Sequence, residues 1–170
     1  MVRAFMAFCG DGRIPELTLI ARDPRDPAAA GGRRRVISPE TAELTRRTMH
    51  QVTTEGTGRK ARSDRYRSFG KSGTAQLPDP VNGDYFEDRY VSSYIAAAPL
   101  EDPRVVVLVV MDDPDARIEH GGGAVAGPVA MRVFDRVLEH LGVPPDAEDA
   151  PDAPARGPAT PTLVRGPSAD

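Results

Sequence analysis

The stretch Gly70-Lys71-Ser72-Gly73-Thr74-Ala75-Gln76 decides how this 170-residue chain is interpreted. Its first five positions hold one cation, two hydroxyls and two glycines, and Pro78 follows shortly afterwards. Glycine in a strand lets another backbone approach closely, and hydroxyls beside an ammonium can bind a carboxylate. These residue types therefore suit a strand at the rim of an anion-binding cleft.

Three interpretations of this stretch compete. Gly-Lys-Ser is the second half of a nucleotide-binding P-loop, but that motif needs a glycine five residues before Gly70, where Arg65 stands. It also needs a long helix afterwards, which Leu77-Pro78-Asp79-Pro80 prevents. The second interpretation is a glycine-containing strand whose Lys71 and Ser72 simply face solvent. The third is the Lys-Ser/Thr-Gly strand of the serine acyltransferases that penicillin inhibits.

Three other segments of the chain are predicted to be helical. In residues 2–9 the apolar side chains recur at the spacing of a helix face. The second helix begins at Ser38-Pro39-Glu40, because serine caps a helix and proline is preorganised at the first helical position, and it runs to about residue 52. The third runs over about residues 125–141 and ends before Pro144. We expect it to cover the sheet with an apolar stripe formed by Val129, Val133, Phe134, Val137, Leu138 and Leu141.

Five segments have the composition of strands, namely residues 17–20, 36–37, 67–76, 90–98 and 105–111. The stretch 22–35 between the first two is rich in proline, glycine and arginine, and we interpret it as an exposed loop. Residues 105–111 are continuously apolar, so we expect both faces of that strand to be buried. The short connection 99–103 predicts an antiparallel hairpin. The predicted fold class is α+β, an antiparallel β-sheet covered by helices.

Charge and composition narrow the functional classes. The chain has 22 basic and 25 acidic residues, and its net charge of −3 resides in residues 146–170. The neutral body has no basic stripe, so we expect no nucleic-acid partner. The three histidines have no partners at metal-ligand spacing, so we expect no metal and no cofactor; they are His50, His120 and His140.

The chain divides into a body, residues 1–145, and a tail, residues 146–170. The tail contains five prolines and few large apolar residues, so we predict that it is disordered. The longest apolar run, residues 105–111, is far shorter than the roughly 20 residues of a membrane-spanning helix. We also see no signal peptide after Met1. We therefore expect no export or membrane segment in this sequence.

Six segments match, in order, the motifs of one family. They are residues 2–10 (a helix ending in "A-x-A-x-x-N-G-G", here without the asparagine), 35–42 ("R-V-I-S-x-x-T-A"), 55–61 ("E-G-T-G-x-x-A"), 70–76 ("G-K-T/S-G-T-A-Q"), 90–104 ("Y-x-A-S-F-x-G-x-A-P-x-x-x-P-R") and 121–129 ("Y-G-G-x-V-A-A-P-V-F"). Over residues 1–145 the chain resembles the C-terminal part of the transpeptidase domain of class B penicillin-binding proteins. The resemblance implies the penicillin-binding transpeptidase fold, which is like that of serine β-lactamases.

The resemblance also implies a function and a site. The function is cross-linking of D-Ala-D-Ala stem peptides through a serine acyl-enzyme, in cell division or cell shape, at the outer face of the cytoplasmic membrane. The hydroxyls of Ser72 and Thr74 would bind the carboxylate of the stem peptide or of a β-lactam, beside Gly73. The Thr74 N–H would supply half of the oxyanion hole, and Lys71 would add positive charge.

Two motifs that the resemblance demands do not occur in usable form. Ser-x-Asn is absent, because the only asparagine, Asn82, has Pro80 two residues before it. Ser-x-x-Lys occurs once, at Ser68 and Lys71. A nucleophile and its base must lie one helical turn apart on one face, whereas positions three apart on a strand point to opposite faces. We therefore interpret this match as accidental.

We predict that the chain is a C-terminal fragment, a mis-started reading frame or half of a split gene, and that it does not acylate alone. Its partners would then be the missing N-terminal part of the domain or other division and elongation proteins. The alternative is a non-catalytic substrate-binding or interaction remnant of that domain. In either case residues 105–111 would lose a strand neighbour, which leaves an unpaired edge and apolar surface prone to aggregation.

Overall fold

A computed structural model of the chain describes residues 1–20 and 32–147. Its helices are α1 (Val2–Phe5), which continues as a 3-10 turn over Met6–Cys9, α2 (Pro39–Thr54), α3 (Gly122–Val125) and α4 (Gly127–His140). Its strands are β1 (Arg13–Ile14), β2 (Arg34–Arg35), β3 (Phe69–Asp79), β4 (Asp84–Ala98) and β5 (Val105–Asp112). No helix in the described ranges is long and apolar enough to cross a membrane.

The main sheet is three-stranded and antiparallel, in the order β3-β4-β5. Thr74 lies opposite Ser92, which in turn lies opposite Met111 on β5. The register shifts between Gln76 and Pro78, where proline has no N–H to donate to the ladder. The predicted α+β fold and the hairpin between the last two strands are confirmed.

Each face of the sheet packs against different helices, because successive side chains of a strand point to opposite faces. On one face α4 contributes Phe134 and Leu138, which pack with the buried Tyr66 and Tyr94. On the other face Phe5 of α1 stacks on Phe69 of β3, with ring centroids 5.7 Å apart. The sheet is therefore the middle layer between α1 and α4.

The local signals of α2 act as the sequence predicts. The Ser38 side chain accepts a hydrogen bond from the Thr41 N–H at 3.2 Å, and Pro39 occupies the first turn. Ala42 on its inner face is fully buried. The helix ends where Gly56 packs so closely that an added Cβ would lie 3.0 Å from the Val52 carbonyl oxygen. The turn at Gly56 thus leads the chain back toward β3.

The two short strands are not where we predicted them. Residues 17–20 form no strand, and Leu19 is fully exposed. The pairing instead joins Arg13 with Arg35, because Gly12 turns the chain at a φ of +85° and its carbonyl accepts the Val36 N–H. The predicted strand 36–37 is therefore displaced to residues 34–35. Residues 21–31 of the predicted loop lie outside the described residues.

Strand β5 packs against a core cluster on each face, in line with our expectation, but its side chains are less completely buried than expected. Its side chains are half-buried or exposed, and Val110 is 55% exposed. Within the described residues β5 pairs only with β4, so its outer edge has no strand neighbour. The apolar run reflects a strand with one open edge rather than a central one.

The buried stripe of α4 also differs from the predicted one. Phe134 and Leu138 are buried, but Val133 and Leu141 are 39% and 53% exposed. The helix is held closest to its neighbours at Gly127, where an added Cβ would lie 2.3 Å from the Ala61 Cβ. Ala130 and Met131, which were not in the predicted stripe, are buried, whereas Val129 and Val137 are half-buried.

The end of the described chain packs onto the segment before β3. The Asp146 carboxylate accepts the Arg67 N–H at 2.7 Å, and the N–H groups of Asp146 and Ala147 donate to the Arg65 carbonyl. The rest of the predicted tail, residues 148–170, lies outside the described residues.

Candidate functional site

The predicted site residues Lys71, Ser72, Gly73 and Thr74 lie together on β3. Within the described residues this strand pairs only with β4, so it forms one edge of the sheet. Thr74 and Lys71 are exposed, and the Lys71 ammonium donates to the Ser72 carbonyl at 2.7 Å. The stretch is a strand, which contradicts the P-loop interpretation and agrees with both of the strand interpretations.

Ser72 and Thr74 form a hydroxyl pair on one face of β3. They lie opposite Tyr94 and Ser92 of β4, and residues two apart on a strand are separated by about 6.6 Å. We refer to these two side chains below as the hydroxyl pair. Their spacing suits two oxygen atoms of one small anionic group.

Each hydroxyl of the pair has a hydrogen-bond partner from a remote part of the chain. The Ser72 Oγ lies 3.0 Å from the Thr57 Oγ1, and either atom can be the donor. The Thr74 Oγ1 accepts a hydrogen bond from the Gly122 N–H at 3.0 Å. Both hydroxyls are therefore fixed by the fold rather than free to rotate.

Glycine is required where the segment after β5 meets the sheet. A Cβ on Gly122 would lie 2.2 Å from the Ser93 carbonyl oxygen and 2.3 Å from that of Gly73. A Cβ on Gly123 would lie 2.1 Å from the Thr57 carbonyl oxygen. Only glycine lets the backbone of this segment touch both β3 and the Thr57 loop.

The turn before α3 is organised by the Glu119 carboxylate. Its Oε1 accepts the N–H groups of His120 and Gly121, each at 3.1 Å, and its Oε2 accepts from the Lys60 ammonium at 3.0 Å. The ion pair with Lys60, followed by the two backbone donors, lowers the pKa of Glu119 from 4.5 to about 2. The Ser92 hydroxyl also donates to the His120 carbonyl, which anchors the turn on β4.

An open pocket of about 480 Å³ lies between the first half of β4 and the segment after β5, and neither Ser72 nor Thr74 lines it. Tyr90 and His120 line it with stacked rings, whose centroids are 4.2 Å apart. Arg89 pairs with Asp113 at its rim at 2.8 Å. Tyr90 thus forms one wall of this pocket.

The accidental Ser-x-x-Lys match is not a catalytic pair. Ser68 is 4% exposed, and its hydroxyl donates to the Met131 sulfur of α4 at 4.0 Å. Lys71 is exposed and lies opposite Ile95, on the other face of the sheet. Ser68 is therefore part of the packed core and not near the Lys71 ammonium.

The histidines lie apart from one another. His50 Nδ1 lies 2.7 Å from the Ser68 carbonyl, and His120 stacks on Tyr90. Within residues 1–20 and 32–147, no three His, Cys, Asp or Glu side chains come together in an arrangement that could hold a metal ion.

Several residues of the site were not identified from the sequence. Thr57 and Gly122 belong to the motifs at residues 55–61 and 121–129, but their contacts with Ser72 and Thr74 join residues 15 and 48 positions apart. Lys60 and Glu119 carry no sequence signal, because their contact joins residues 59 positions apart. Only the fold brings these groups together.

Comparison with known proteins agrees with this geometry. The family model described as the penicillin-binding protein transpeptidase domain matches residues 1–135. The chain belongs to this family of transpeptidase domains. Stage V sporulation protein D of Bacillus subtilis strain 168 is 41% identical over 113 residues, which are 66% of this chain and 17% of that protein.

Two further relatives support the assignment. The probable peptidoglycan D,D-transpeptidase PenA of Neisseria flavescens is 37% identical over 146 residues, which are 85% of this chain and 34% of that protein. The apo structure of the TP domain from Burkholderia pseudomallei penicillin-binding protein 3 has a TM-score of 0.75 at 35% identity, and the match covers 85% of this chain and 42% of that one. The chain thus spans between 17% and 34% of the length of these curated relatives.

Proposed function

We propose that the chain forms one wall of the active-site cleft of a peptidoglycan D,D-transpeptidase, an enzyme that cross-links D-Ala-D-Ala stem peptides through a serine acyl-enzyme. The observation that carries this proposal is the hydroxyl pair of Ser72 and Thr74 on an edge strand of the sheet. Membership of the transpeptidase-domain family and the similarity to the probable peptidoglycan D,D-transpeptidase PenA of Neisseria flavescens support it.

The hydroxyl pair has the hydrogen-bonding state needed to bind a carboxylate. Because Thr74 Oγ1 already accepts from the Gly122 N–H, the Thr74 proton is available to an external acceptor. When Thr57 donates to Ser72, the Ser72 proton is available in the same way. Both donate to the terminal carboxylate of a stem peptide, or to the carboxylate of a β-lactam, in charge-assisted hydrogen bonds.

Lys71, Gly73 and the backbone of Thr74 have distinct roles in the proposed site. Lys71 extends from the opposite face of β3, and its ammonium, which donates to the Ser72 carbonyl, adds positive charge near the strand that favours the bound anion. Gly73 leaves the strand surface open, so that the peptide backbone of the substrate can approach. The Thr74 N–H donates to the oxyanion of the tetrahedral intermediate, as one of two donors.

The nucleophile of the proposed reaction is supplied by polypeptide other than this sequence. The sequence contains no Ser-x-Asn, and its single Ser-x-x-Lys has its serine in the core. The partner is therefore the N-terminal part of such a domain, in the same chain or in a second one. By family resemblance the complete enzyme acts in the cell envelope, at the outer face of the cytoplasmic membrane, with division or elongation proteins.

A chimera tests the proposed function. The Burkholderia pseudomallei transpeptidase domain serves as host, and residues 1–145 of this chain replace its matching segment. We expect the chimera to be labelled covalently by a fluorescent penicillin. Thr74→Val removes a hydrogen bond to a charged group and should lower the rate constant for labelling by about 10- to 150-fold. Thr48→Val, a substitution on the outer side of α2 where Thr48 bonds only the Leu44 carbonyl, is the matched control.

Two results would count against the proposal. One is a chimera that keeps the circular dichroism and cooperative melting of the host but takes up no label. The other is a Thr74→Val chimera that is labelled as fast as the parent. A folded chimera that binds stem peptides without being acylated would favour the alternative, a substrate-binding remnant.

A further inference from the structure

The two segments that donate to or contact the hydroxyl pair are themselves joined by an ion pair. Thr57, which contacts Ser72, lies in the loop that contains Lys60; Gly122, which contacts Thr74, follows Glu119. The Lys60 ammonium and the Glu119 carboxylate meet at 3.0 Å. We call this ion pair the clasp.

The clasp closes a ring of contacts around one end of β3. The ring runs from Ser72 to Thr57 and along the loop to Lys60. It then crosses to Glu119 and passes along the turn to Gly122, which donates to Thr74. Apart from the clasp, the two supporting segments are held together by packing: Gly123 lies against the Thr57 carbonyl, without a hydrogen bond in the described structure, and Gly127 of α4 packs against Ala61.

The position of the Glu119 carboxylate determines the position of the backbone that precedes Gly122. Its other carboxylate oxygen accepts the N–H groups of His120 and Gly121, so that the carboxylate and the backbone before Gly122 move as one unit. Lys60 occupies one of the unspecified positions of the "E-G-T-G-x-x-A" motif. The family resemblance therefore gives no role to this residue.

We infer that Lys60 and Glu119 are positioning residues, which hold Thr57 against Ser72 and Gly122 against Thr74 and so fix the hydroxyl pair for carboxylate binding. This role in binding rests on the proposed function, whereas the clasp itself does not. Both side chains are partly exposed, at 67% and 40%. The effect of the clasp is therefore that of an exposed ion pair: modest, and screened by salt.

The first test is residue-resolved amide hydrogen exchange in the full 170-residue chain. The Gly122 N–H should exchange about two- to fivefold faster in Lys60→Met and in Glu119→Gln, which is the range for loss of an exposed ion pair. Glutamine keeps an oxygen for the His120 and Gly121 N–H groups, so Glu119→Gln removes only the charge. Lys60→Arg should preserve the wild-type rate, and the double variant should add nothing to either single one.

A matched control is available on α2, where Arg47 and Glu43 form an exposed ion pair at 2.8 Å outside the ring of contacts. Arg47→Met should leave Gly122 exchange unchanged. Equal Gly122 exchange in wild type and Lys60→Met would overturn the inference, as would an equal effect of Arg47→Met. High salt should reproduce the acceleration in the wild-type chain but not in Lys60→Met.

The second test uses the chimera and separates positioning from general stability. Lys60→Met should raise the penicillin concentration for half-maximal labelling by about two- to fivefold, with the limiting rate unchanged. Faster Gly122 exchange without this change would overturn the positioning role. If the unmodified chimera takes up no label, the proposed function fails, and the exchange experiment still decides whether the clasp holds Gly122 against Thr74.

Discussion

The Gly122 N–H donates to the Thr74 hydroxyl oxygen at 3.0 Å, which joins the segment after β5 to the edge strand β3. The bond occupies the acceptor side of the hydroxyl and leaves its proton for a ligand. It requires that the backbone of Gly122 lie directly against the carbonyl groups of Gly73 and Ser93. One backbone N–H thus links the packing of the domain to the chemistry of its rim.

The contact at Gly122 predicts a large penalty for a methyl group there. In Gly122→Ala the new Cβ would lie 2.2 Å from the Ser93 carbonyl oxygen, and backbone atoms cannot move aside cheaply. We expect a loss of about 1–3 kcal/mol in the free energy of unfolding, measured with urea. Gly10→Ala is the control, since a Cβ at Gly10 meets nothing within 4 Å. Equal stability of the two variants would contradict the close contact.

The two buried tyrosines should respond in opposite directions to loss of their hydroxyls. The Tyr94 hydroxyl is buried without a hydrogen-bond partner among residues 1–20 and 32–147, whereas that of Tyr66 donates to the Val143 carbonyl at 2.8 Å. Tyr94→Phe should raise the free energy of unfolding by about 1 kcal/mol, and Tyr66→Phe should lower it by about as much. Urea unfolding of both variants checks this, and shifts of the same sign would refute it.

The open edge of β5 predicts self-association of the chain. Val110 is 55% exposed on a strand that pairs only with β4 in the described part of the chain. Val110→Lys should reduce concentration-dependent association in sedimentation velocity, because a charge on an edge strand opposes edge-to-edge pairing.

Val81→Lys, at the exposed turn between β3 and β4, is the control and should leave the association unchanged. A wild-type chain that stays monomeric at high concentration and binds no hydrophobic dye would show that the open edge of β5 does not drive self-association.

The Glu119 carboxylate predicts how the stability of the chain changes at acid pH. Its pKa in the folded chain is lowered from 4.5 to about 2, first by Lys60 and then by the N–H groups of the turn. A lowered folded pKa means that its contribution to stability is present above pH 4.5 and is lost as the pH falls toward 2. Glu119→Gln should therefore lose less stability than wild type between pH 5 and pH 3 in urea titrations. An identical loss in both proteins would show that Glu119 does not contribute.

The sequence predicted those parts of the fold that depend on local signals. Ser38 and Pro39 determine the start of α2, and the short connection 99–103 determines the hairpin of β4 and β5. The position of Lys71 on a strand was likewise predictable, because Gly70, Gly73 and the prolines after Gln76 exclude a helix.

The remaining features depend on tertiary contacts that no local pattern contains. The register of β1 with β2 follows from the positive φ of Gly12, and α4 packs closely against Ala61 at Gly127. In the site, the roles of Thr57 and Gly122 require segments that only the folded sheet brings together. The motif predicts the candidate site, and the fold shows which groups contact its two hydroxyls.

The most direct test is to identify the residue that penicillin acylates, because it shows which polypeptide supplies the nucleophile and which supplies the carboxylate-binding strand. The chimera is treated with penicillin, digested and analysed by mass spectrometry for the peptide that carries the adduct. We predict one adduct, on the serine of the Ser-x-x-Lys motif that the host contributes, and none on any serine of residues 1–145, Ser68 and Ser72 included. An adduct on a serine within residues 1–145, or one formed by the 170-residue chain alone, would contradict this account. In this account β3 binds the carboxylate, and a serine of another polypeptide attacks the carbonyl group of the penicillin.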